Sequence, residues 1–142
     1  MAKGVSVHIG INEVDPAHYG GWTGALNACE ADAEDLQTVA TSQGFATTML
    51  CTSEATRAAV IAAIKSAAGA TVAGDLFFLS YSGHGGQVPD LNGDEQDLQD
   101  ETWCLFDGQL IDDELHVLWS EFVAGVRILM LVSGFVPASI TC

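Results

Sequence analysis

The chain has 142 residues, and 49% of them are hydrophobic, which is enough for one domain with a buried core. It carries 19 acidic and 4 basic residues, a formal net charge of -15. This charge excludes nucleic acid as an expected partner, because phosphate binding needs a basic surface. Polar residues interrupt the amino-terminal segment, and Arg127 interrupts the longest later apolar run. The sequence therefore predicts neither an export signal nor a membrane span.

The cysteines predict a reducing compartment. The chain has four of them, widely separated and without a CxxC pair: Cys29, Cys51, Cys104 and Cys142. A chain with this much apolar content does not need disulfides to be stable. We therefore expect free thiols and a cytoplasmic location.

The first half of the chain alternates between strand and helix patterns. Alanine, leucine and glutamate fill the first helical segment, which Gly44 ends, and alanine and isoleucine fill the second, which Thr52 or Ser53 is expected to cap. The predicted elements are a strand at Val5–Ile11, a helix at Ala25–Gln43, a strand at Ala46–Leu50 and a helix at Glu54–Ala68.

The second half continues the alternation. Asp75–Tyr81, "DLFFLSY", is apolar on both faces, as expected of a central parallel strand with helices on each side. A hairpin turning at Asp107–Gly108, a helix starting near Asp112 and a last strand at Arg127–Val132 follow. The pattern predicts a doubly wound α/β sheet.

One histidine stands between glycines directly after the central strand. His84 lies in "SYSGHGGQ", and ligands of open α/β sheets collect beyond the carboxyl ends of the strands. Gly83, Gly85 and Gly86 permit tight backbone paths and the close approach of another chain. A turn histidine with a structural role is the alternative, but the position favours a functional one.

Acidic residues concentrate after this histidine. Such a cluster attracts a cation or a basic substrate, or it is a solvated loop that keeps the protein soluble. An EF-hand interpretation of "DLNGDEQDLQDE" fails on the position of its glycine and on the spacing of its closing glutamate. The cluster consists of ten residues: Asp90, Asp94, Glu95, Asp97, Asp100, Glu101, Asp107, Asp112, Asp113 and Glu114.

Four blocks together resemble the caspase-like cysteine peptidases, and most closely their bacterial metacaspase (orthocaspase) branch. They are "NACEADAEDL", "SYSGHGGQ", "GDEQDLQDETWCLFDGQLIDDEL" and "VRILMLV". The resemblance implies a three-layer α/β sandwich, with a mostly parallel central sheet and helices on both faces. It also implies that residues 1–142 form a single large-subunit (p20-type) domain, truncated after the strand at 127–132 and so incomplete at its carboxyl end.

The resemblance also implies roles for individual residues. His84 matches the acid/base partner of a cysteine nucleophile, and Asp32 and Ser82 match the pocket that accepts the Arg or Lys of a basic peptide substrate. Asp100, Asp112 and Asp113 match ligands of an activating Ca²⁺ ion, which prefers carboxylate oxygens. From the residues alone, Asp32 is an ordinary first-turn helix acid, and Asp112 and Asp113 are also suited to capping a helix.

The chain departs from the family where the nucleophile belongs. Relatives carry an aspartate, a small residue, the cysteine and His-Ser-Gly after the strand that matches "VRILMLV", whereas this chain reads "SGFVPASITC". Cys29 and Cys104 are expected to be inert packing residues, and nothing fixes Cys142 against His84. Truncation, true loss and a reading-frame error are all open, since the codons from Gly134, read one nucleotide later, can encode Asp-Ser-Cys.

Two functions are therefore open at the level of sequence. The first is a cysteine endopeptidase for basic residues that is inactive as this chain alone. The second is a non-catalytic caspase homologue, a binding or regulatory module that responds to calcium. In either case the last strand is expected to be an apolar, unpaired edge, which predicts poor solubility or self-association.

Overall fold

The residues that the structure describes form a six-stranded mixed sheet with helices on both faces. The computed structural model describes residues 2–89 and 99–135, apart from the side chains at 87–89, 99, 100 and 135. No helix within these residues is long and apolar enough to cross a membrane. The elements are β1 (Gly4–Gly10), α1 (Cys29–Ser42), β2 (Ala46–Cys51), α2 (Arg57–Ala70), β3 (Leu76–Pro89), β4 (Gln99–Leu105), β5 (Gly108–Ile111), α3 (Asp112–Trp119) and β6 (Arg127–Phe135).

The sheet has a parallel and an antiparallel part that share β3. β1 pairs with β2 on one side and with β3 on the other, and β6 also pairs with β3, all in parallel. Past its parallel pairing with β1, β3 continues and pairs with β4 in antiparallel register, and β4 pairs with β5. The predicted α/β class, with a mostly parallel sheet and helices on both faces, is confirmed.

The helices divide between the two faces according to the alternation of the strands. Val7 and Ile9 of β1 belong to one core cluster with Val60 and Ile64 of α2. On the opposite face, a Cβ atom at Gly10 would lie 2.3 Å from the Cys29 carbonyl oxygen, so glycine is needed for α1 to pack this closely. α1 therefore covers one face of β1, and α2 covers the other.

The α1 face of the sheet has a polar interior. His8 is 0% exposed and its ring nitrogens lie 2.7 Å from Ser80 Oγ and 2.8 Å from Ser6 Oγ, which satisfies both nitrogens. Burial lowers the pKa of His8 from 6.5 to about 4. The ring is therefore neutral at pH 7. This network could not be predicted from the sequence, because its members lie on two different strands.

The first helix begins four residues later than predicted. The prediction started α1 at Ala25, whereas the helix begins at Cys29. The Asn12 side chain explains the difference, because its Oδ1 accepts hydrogen bonds from the backbone amides of Cys29 (3.0 Å) and Glu30 (3.2 Å). A residue distant in sequence therefore caps the helix and fixes where it starts.

The predicted cap of the second helix is wrong. Thr56, not Thr52 or Ser53, caps α2, and its Oγ1 accepts a hydrogen bond from the Ala59 amide at 3.2 Å. Residues 52–54 form a short 3-10 turn instead. Thr52 is already engaged elsewhere, since its hydroxyl donates to Glu30 Oε1 at 2.8 Å.

The central strand and the hairpin also differ in their bounds. β3 extends to Pro89 instead of ending at Tyr81, because residues 85–89 pair with β4. The hairpin is confirmed, but Leu105 pairs with Gly108, so the turn residues are 106 and 107, one position earlier than predicted. β6 starts at Arg127 as predicted and runs on to Phe135.

Candidate active site

His84 lies where the pairing of β3 changes. Parallel pairing with β1 ends at Ser82, and antiparallel pairing with β4 begins at Gly85. The sequence suggested that the strand ends before His84, but only its pairing with β1 does, since its parallel pairing with β6 continues to His84. This position still corresponds to the carboxyl edge of the parallel sheet, where α/β proteins bind ligands.

The His84 ring is held by the segment that precedes α1. The residue is 7% exposed, and its Nε2 lies 2.9 Å from the Gly24 carbonyl oxygen. The Trp22 ring packs against it in an edge arrangement, with ring centroids 4.9 Å apart. A carbonyl oxygen only accepts hydrogen bonds, so Nε2 carries the hydrogen and the lone pair of the neutral ring lies on Nδ1.

The backbone at His84 is fixed as well. The Tyr81 hydroxyl donates to the His84 carbonyl oxygen at 2.5 Å, and the Tyr81 ring stacks on Trp103 of β4 with centroids 4.5 Å apart. A Cβ atom at Gly83 would lie 2.7 Å from the Tyr81 hydroxyl oxygen. The glycine before the histidine is therefore required for this contact.

Asp32 and Ser82 meet in a cleft beside His84. Ser82 Oγ donates to Asp32 Oδ2 at 2.9 Å, which joins β3 to the first turn of α1. The cleft has a volume of about 330 Å³. It is lined by two carboxylates, a serine pair and apolar side chains: Asp32, Asp35, Leu36, Tyr81, Ser82, Leu131 and Ser133. The family resemblance predicted that Asp32 and Ser82 share a pocket, but nothing in the sequence indicated Asp35.

Two cysteines, Cys29 and Cys51, have raised pKa values and are protonated thiols at neutral pH. Burial raises the pKa of Cys29, and the charge of Asp32 raises it further, although a hydrogen bond with Ser82 opposes the shift. Burial and nearby glutamates raise the pKa of Cys51. Cys104 is fully buried, and Cys142 lies outside the described residues. Since the thiolate is the nucleophilic form, Cys29 and Cys51 are in unreactive states.

A second cavity, of about 490 Å³, lies between the hairpin, α3 and β6. Glu101, Trp103 and Asp112 line it, together with apolar side chains. Asp112 Oδ1 is buried and has no hydrogen-bond partner within the described part of the chain. An orphaned carboxylate oxygen of this kind fits a hard cation such as Ca²⁺.

The other expected calcium ligands are only partly described. Asp113 follows Asp112 in the first turn of α3, and Asp100 lies on β4 opposite Val88, but its side chain is outside the described residues. Among the side chains that are described, no three His, Cys, Asp or Glu residues converge on one point. The geometry therefore identifies one candidate ligand, Asp112, and leaves Asp100 and Asp113 as predictions.

Arg57, which the sequence did not single out, fixes the start of α3. Its guanidinium Nη1 and Nη2 donate to Glu114 at 3.0 and 2.6 Å, and it also donates to the Gln109 carbonyl. Glu114 Oε1 also accepts from the Ile111 amide at 3.1 Å. The Arg57 hydrogen bond lowers the pKa of Glu114. This clamp holds the turn that carries Asp112.

Comparison with known proteins identifies relatives of this chain. Residues 6–135 match the profile of the metacaspase, peptidase C14 domain. The chain is similar to Metacaspase-1A of Aspergillus clavatus, with 33% identity over 89% of this chain and 32% of that protein. It is also similar to Metacaspase-1 of Cryptococcus neoformans, with 34% identity over 84% of this chain and 28% of that protein.

A solved structure shares both the fold and much of the sequence. A crystal structure of a Geobacter sulfurreducens protein superposes with a TM-score of 0.87 and 61% identity, over 93% of this chain and 50% of that one. The mixed sheet with a buried histidine at its switch of pairing is thus that of a caspase-like α/β domain. The chain belongs to the metacaspase family of C14 cysteine peptidases. It spans about a third of the length of the two fungal relatives.

Proposed function

We propose that the chain supplies the acid/base histidine and the substrate cleft of a cysteine endopeptidase that cleaves after Arg or Lys. The observation that carries this proposal is the Ser82–Asp32 hydrogen bond in the cleft beside His84. The bond orients one carboxylate toward a space large enough for a long side chain. A guanidinium or ammonium group entering it gains a charge-assisted hydrogen bond.

In the proposed chemistry, one atom of His84, Nδ1, accepts and donates the proton. With Nε2–H donated to the Gly24 carbonyl, Nδ1 is the nitrogen that takes the proton of a cysteine thiol and passes it to the leaving amine. The resulting imidazolium is stabilised by the same carbonyl. The overall acidic charge favours the approach of basic peptides.

The nucleophile is proposed to come from a polypeptide other than this chain, so that this chain alone does not turn over substrate. The raised pKa values of Cys29 and Cys51 and the burial of Cys104 support this. Relatives of this family carry the nucleophile after the strand that matches β6. A complementary polypeptide that contains that segment is therefore expected to restore activity.

Calcium is proposed as the activating ion, held by Asp112 together with Asp100 and Asp113. The ion would neutralise carboxylates and tie the start of α3 to β4. Terbium luminescence, which the nearby Trp103 sensitises, measures binding directly. The Asp112→Asn variant is expected to lose about tenfold in affinity, whereas Glu121→Gln, which changes an exposed carboxylate after α3, keeps it. Equal affinities of both variants would refute the assignment.

Peptide binding tests the cleft without any catalytic step. A fluorescent peptide ending in arginine is expected to bind this chain, and its citrulline analogue, which lacks the charge, is expected to bind much more weakly. Asp32→Asn should weaken binding of the arginine peptide about tenfold or more. The matched control is Glu34→Gln, an exposed carboxylate on α1 that does not line the cleft. If Asp32→Asn and Glu34→Gln bind alike, the proposed pocket is wrong.

A second function is a non-catalytic binding module that uses the same cleft. The protonated state of the Cys29 thiol favours it, because this thiol, which contacts Ser82, is not activated. Both functions predict peptide binding, but only the endopeptidase predicts turnover when a nucleophile is supplied. Hydrolysis by the complemented protein therefore separates them.

A further inference from the structure

The segment before α1 contacts His84 at two points. Gly24 provides the carbonyl that accepts from Nε2, and Trp22 places its ring against the imidazole. The segment is anchored to the end of β4, since the Tyr19 hydroxyl donates to the Leu105 carbonyl at 2.6 Å and the Asp15 amide donates to the Phe106 carbonyl at 2.9 Å. His84 thus sits between the sheet and a fixed loop.

Trp22 and Gly24 also constrain one another. Gly24 has φ of 55°, and a Cβ atom there would lie 2.5 Å from the Trp22 ring. The indole therefore packs directly on the residue whose carbonyl binds His84. The Tyr19 ring also contacts the indole, in an edge arrangement with ring centroids 6.0 Å apart. Any shift of the indole moves either the imidazole or its acceptor.

We infer that Trp22 is a positioning residue, which keeps His84 in its Nε2–H tautomer by covering the bond to the Gly24 carbonyl. A hydrogen bond shielded from water is stronger than an exposed one, and a ring packed edge-on cannot rotate freely. The catalytic relevance of this inference rests on the proposed function of His84. The tautomer itself is a property of this chain, whether or not a nucleophile is present.

Nitrogen NMR of ¹⁵N-histidine-labelled protein tests the inference, since two-bond correlations distinguish the tautomers. The signal that disappears in the His84→Gln variant is that of His84, which distinguishes it from the other three of the four histidines. The unmodified chain is expected to show His84 as a single Nε2–H tautomer with a slowly exchanging proton. Trp22→Ala should give mixed tautomers and rapid exchange, and Trp22→Phe, which retains a ring, should restore the single form.

Two glycine variants keep the test valid if Trp22→Ala does not fold. Gly20→Ala and Gly24→Ala introduce a Cβ atom at similar φ angles, 62° and 55°, but only the second meets the Trp22 ring. Gly24→Ala is expected to disturb the His84 tautomer, and Gly20→Ala is not. A His84 signal that is unchanged in Trp22→Ala or Gly24→Ala overturns the inference.

The outcome separates this inference from the proposed function. If the tautomer depends on Trp22 but a complemented enzyme does not need His84, the peptidase proposal fails and the positioning role stands. If His84 is essential but its tautomer does not change when Trp22 is substituted, only the positioning role fails. Trp119→Phe, a change in the core beside Phe77 and Phe122, is the matched control and should leave the signal unchanged.

Discussion

The two strands that flank β3 in parallel, β1 and β6, have opposite surroundings. β1 contains a histidine and a serine, yet the residues from Ser6 to Gly10 are all buried. β6 contains "ILMLV", yet Ile128 to Val132 are 37 to 52% exposed. From hydropathy alone, β6 would be predicted to be the buried strand and β1 the exposed one. Burial here depends on which strand the helices cover, since α1 and α2 pack on β1 and no described element covers β6.

The comparison also locates the proposed site. β3 and β6 border the cleft that contains Asp32 through Ser82, Leu131 and Ser133. The buried side of the sheet supports His84, and the exposed side is accessible to another polypeptide. An apolar edge strand of this length favours association with another chain.

A pair of register-matched substitutions gives the largest expected effect. Val7 of β1 and Met130 of β6 both stand level with Leu79, but Val7 is 1% exposed and Met130 is 45% exposed. Val7→Asp buries an unpaired charge and should reduce the free energy of unfolding by about 4 kcal/mol or more. Met130→Asp should change it by less than about 0.5 kcal/mol.

Urea unfolding followed by circular dichroism measures both changes. Size-exclusion chromatography with light scattering should also show that the unmodified chain self-associates and that Met130→Asp reduces the associated fraction. A monodisperse unmodified monomer, or equal destabilisation by the two substitutions, would contradict the contrast between β1 and β6.

The buried histidine of β1 predicts a pH dependence of stability. The pKa of His8 is about 4 in the folded protein against 6.5 unfolded, so the unfolded chain binds the proton more readily between these values. The contribution of the neutral His8 side chain to the free energy of unfolding is complete above pH 6.5. It decreases as the pH is lowered to 4, by about 3 kcal/mol in total. His8→Gln should flatten the dependence in urea titrations at several pH values.

Its control is His116→Gln, since His116 is an exposed histidine on α3. That variant should keep the pH dependence of the unmodified chain. If His8→Gln and the unmodified chain lose stability in parallel between pH 6.5 and 4, then His8 is not the group responsible.

The smallest expected effect concerns the ion pair between α2 and α3. Arg57 joins α2 to α3 through Glu114, and both side chains are about one-third exposed, 34% and 35%. Solvent screens such a pair, so Arg57→Met should lower the free energy of unfolding by no more than about 1 kcal/mol. Lys65→Met, a charge removal on the same helix without an ion pair in the described residues, should leave the stability unchanged. Thermal unfolding distinguishes the two variants, and an equal decrease would argue against the clamp.

The sequence predicted features that depend on neighbouring residues. Strand and helix order, the hairpin and the start of α3 at Asp112 follow from local periodicity and turn residues. The helix boundaries were displaced because distant side chains decide them: Asn12 caps α1, and Thr52 is engaged with Glu30 instead of capping α2.

In the site, too, the sequence predicted only the features that depend on neighbouring residues. His84 stood out because glycines frame it at the end of an apolar run. Its partner Gly24 lies 60 residues away, and Trp22 beside it gave no signal apart from its position among glycines. The Asp32–Ser82 contact likewise joins residues 50 positions apart. Such pairs come together only when α1 and the segment before it pack on β3, which no local pattern specifies.

The most direct test of the central claim is hydrolysis of a fluorogenic peptide ending in arginine. The chain would be assayed alone and with the half of its Geobacter sulfurreducens relative that this chain does not match, each with and without Ca²⁺, alongside a His84→Ala variant. We expect no turnover by the chain alone, turnover by the mixture, and its loss in His84→Ala. Turnover by the chain alone, or a mixture in which His84→Ala remains active, would contradict this expectation.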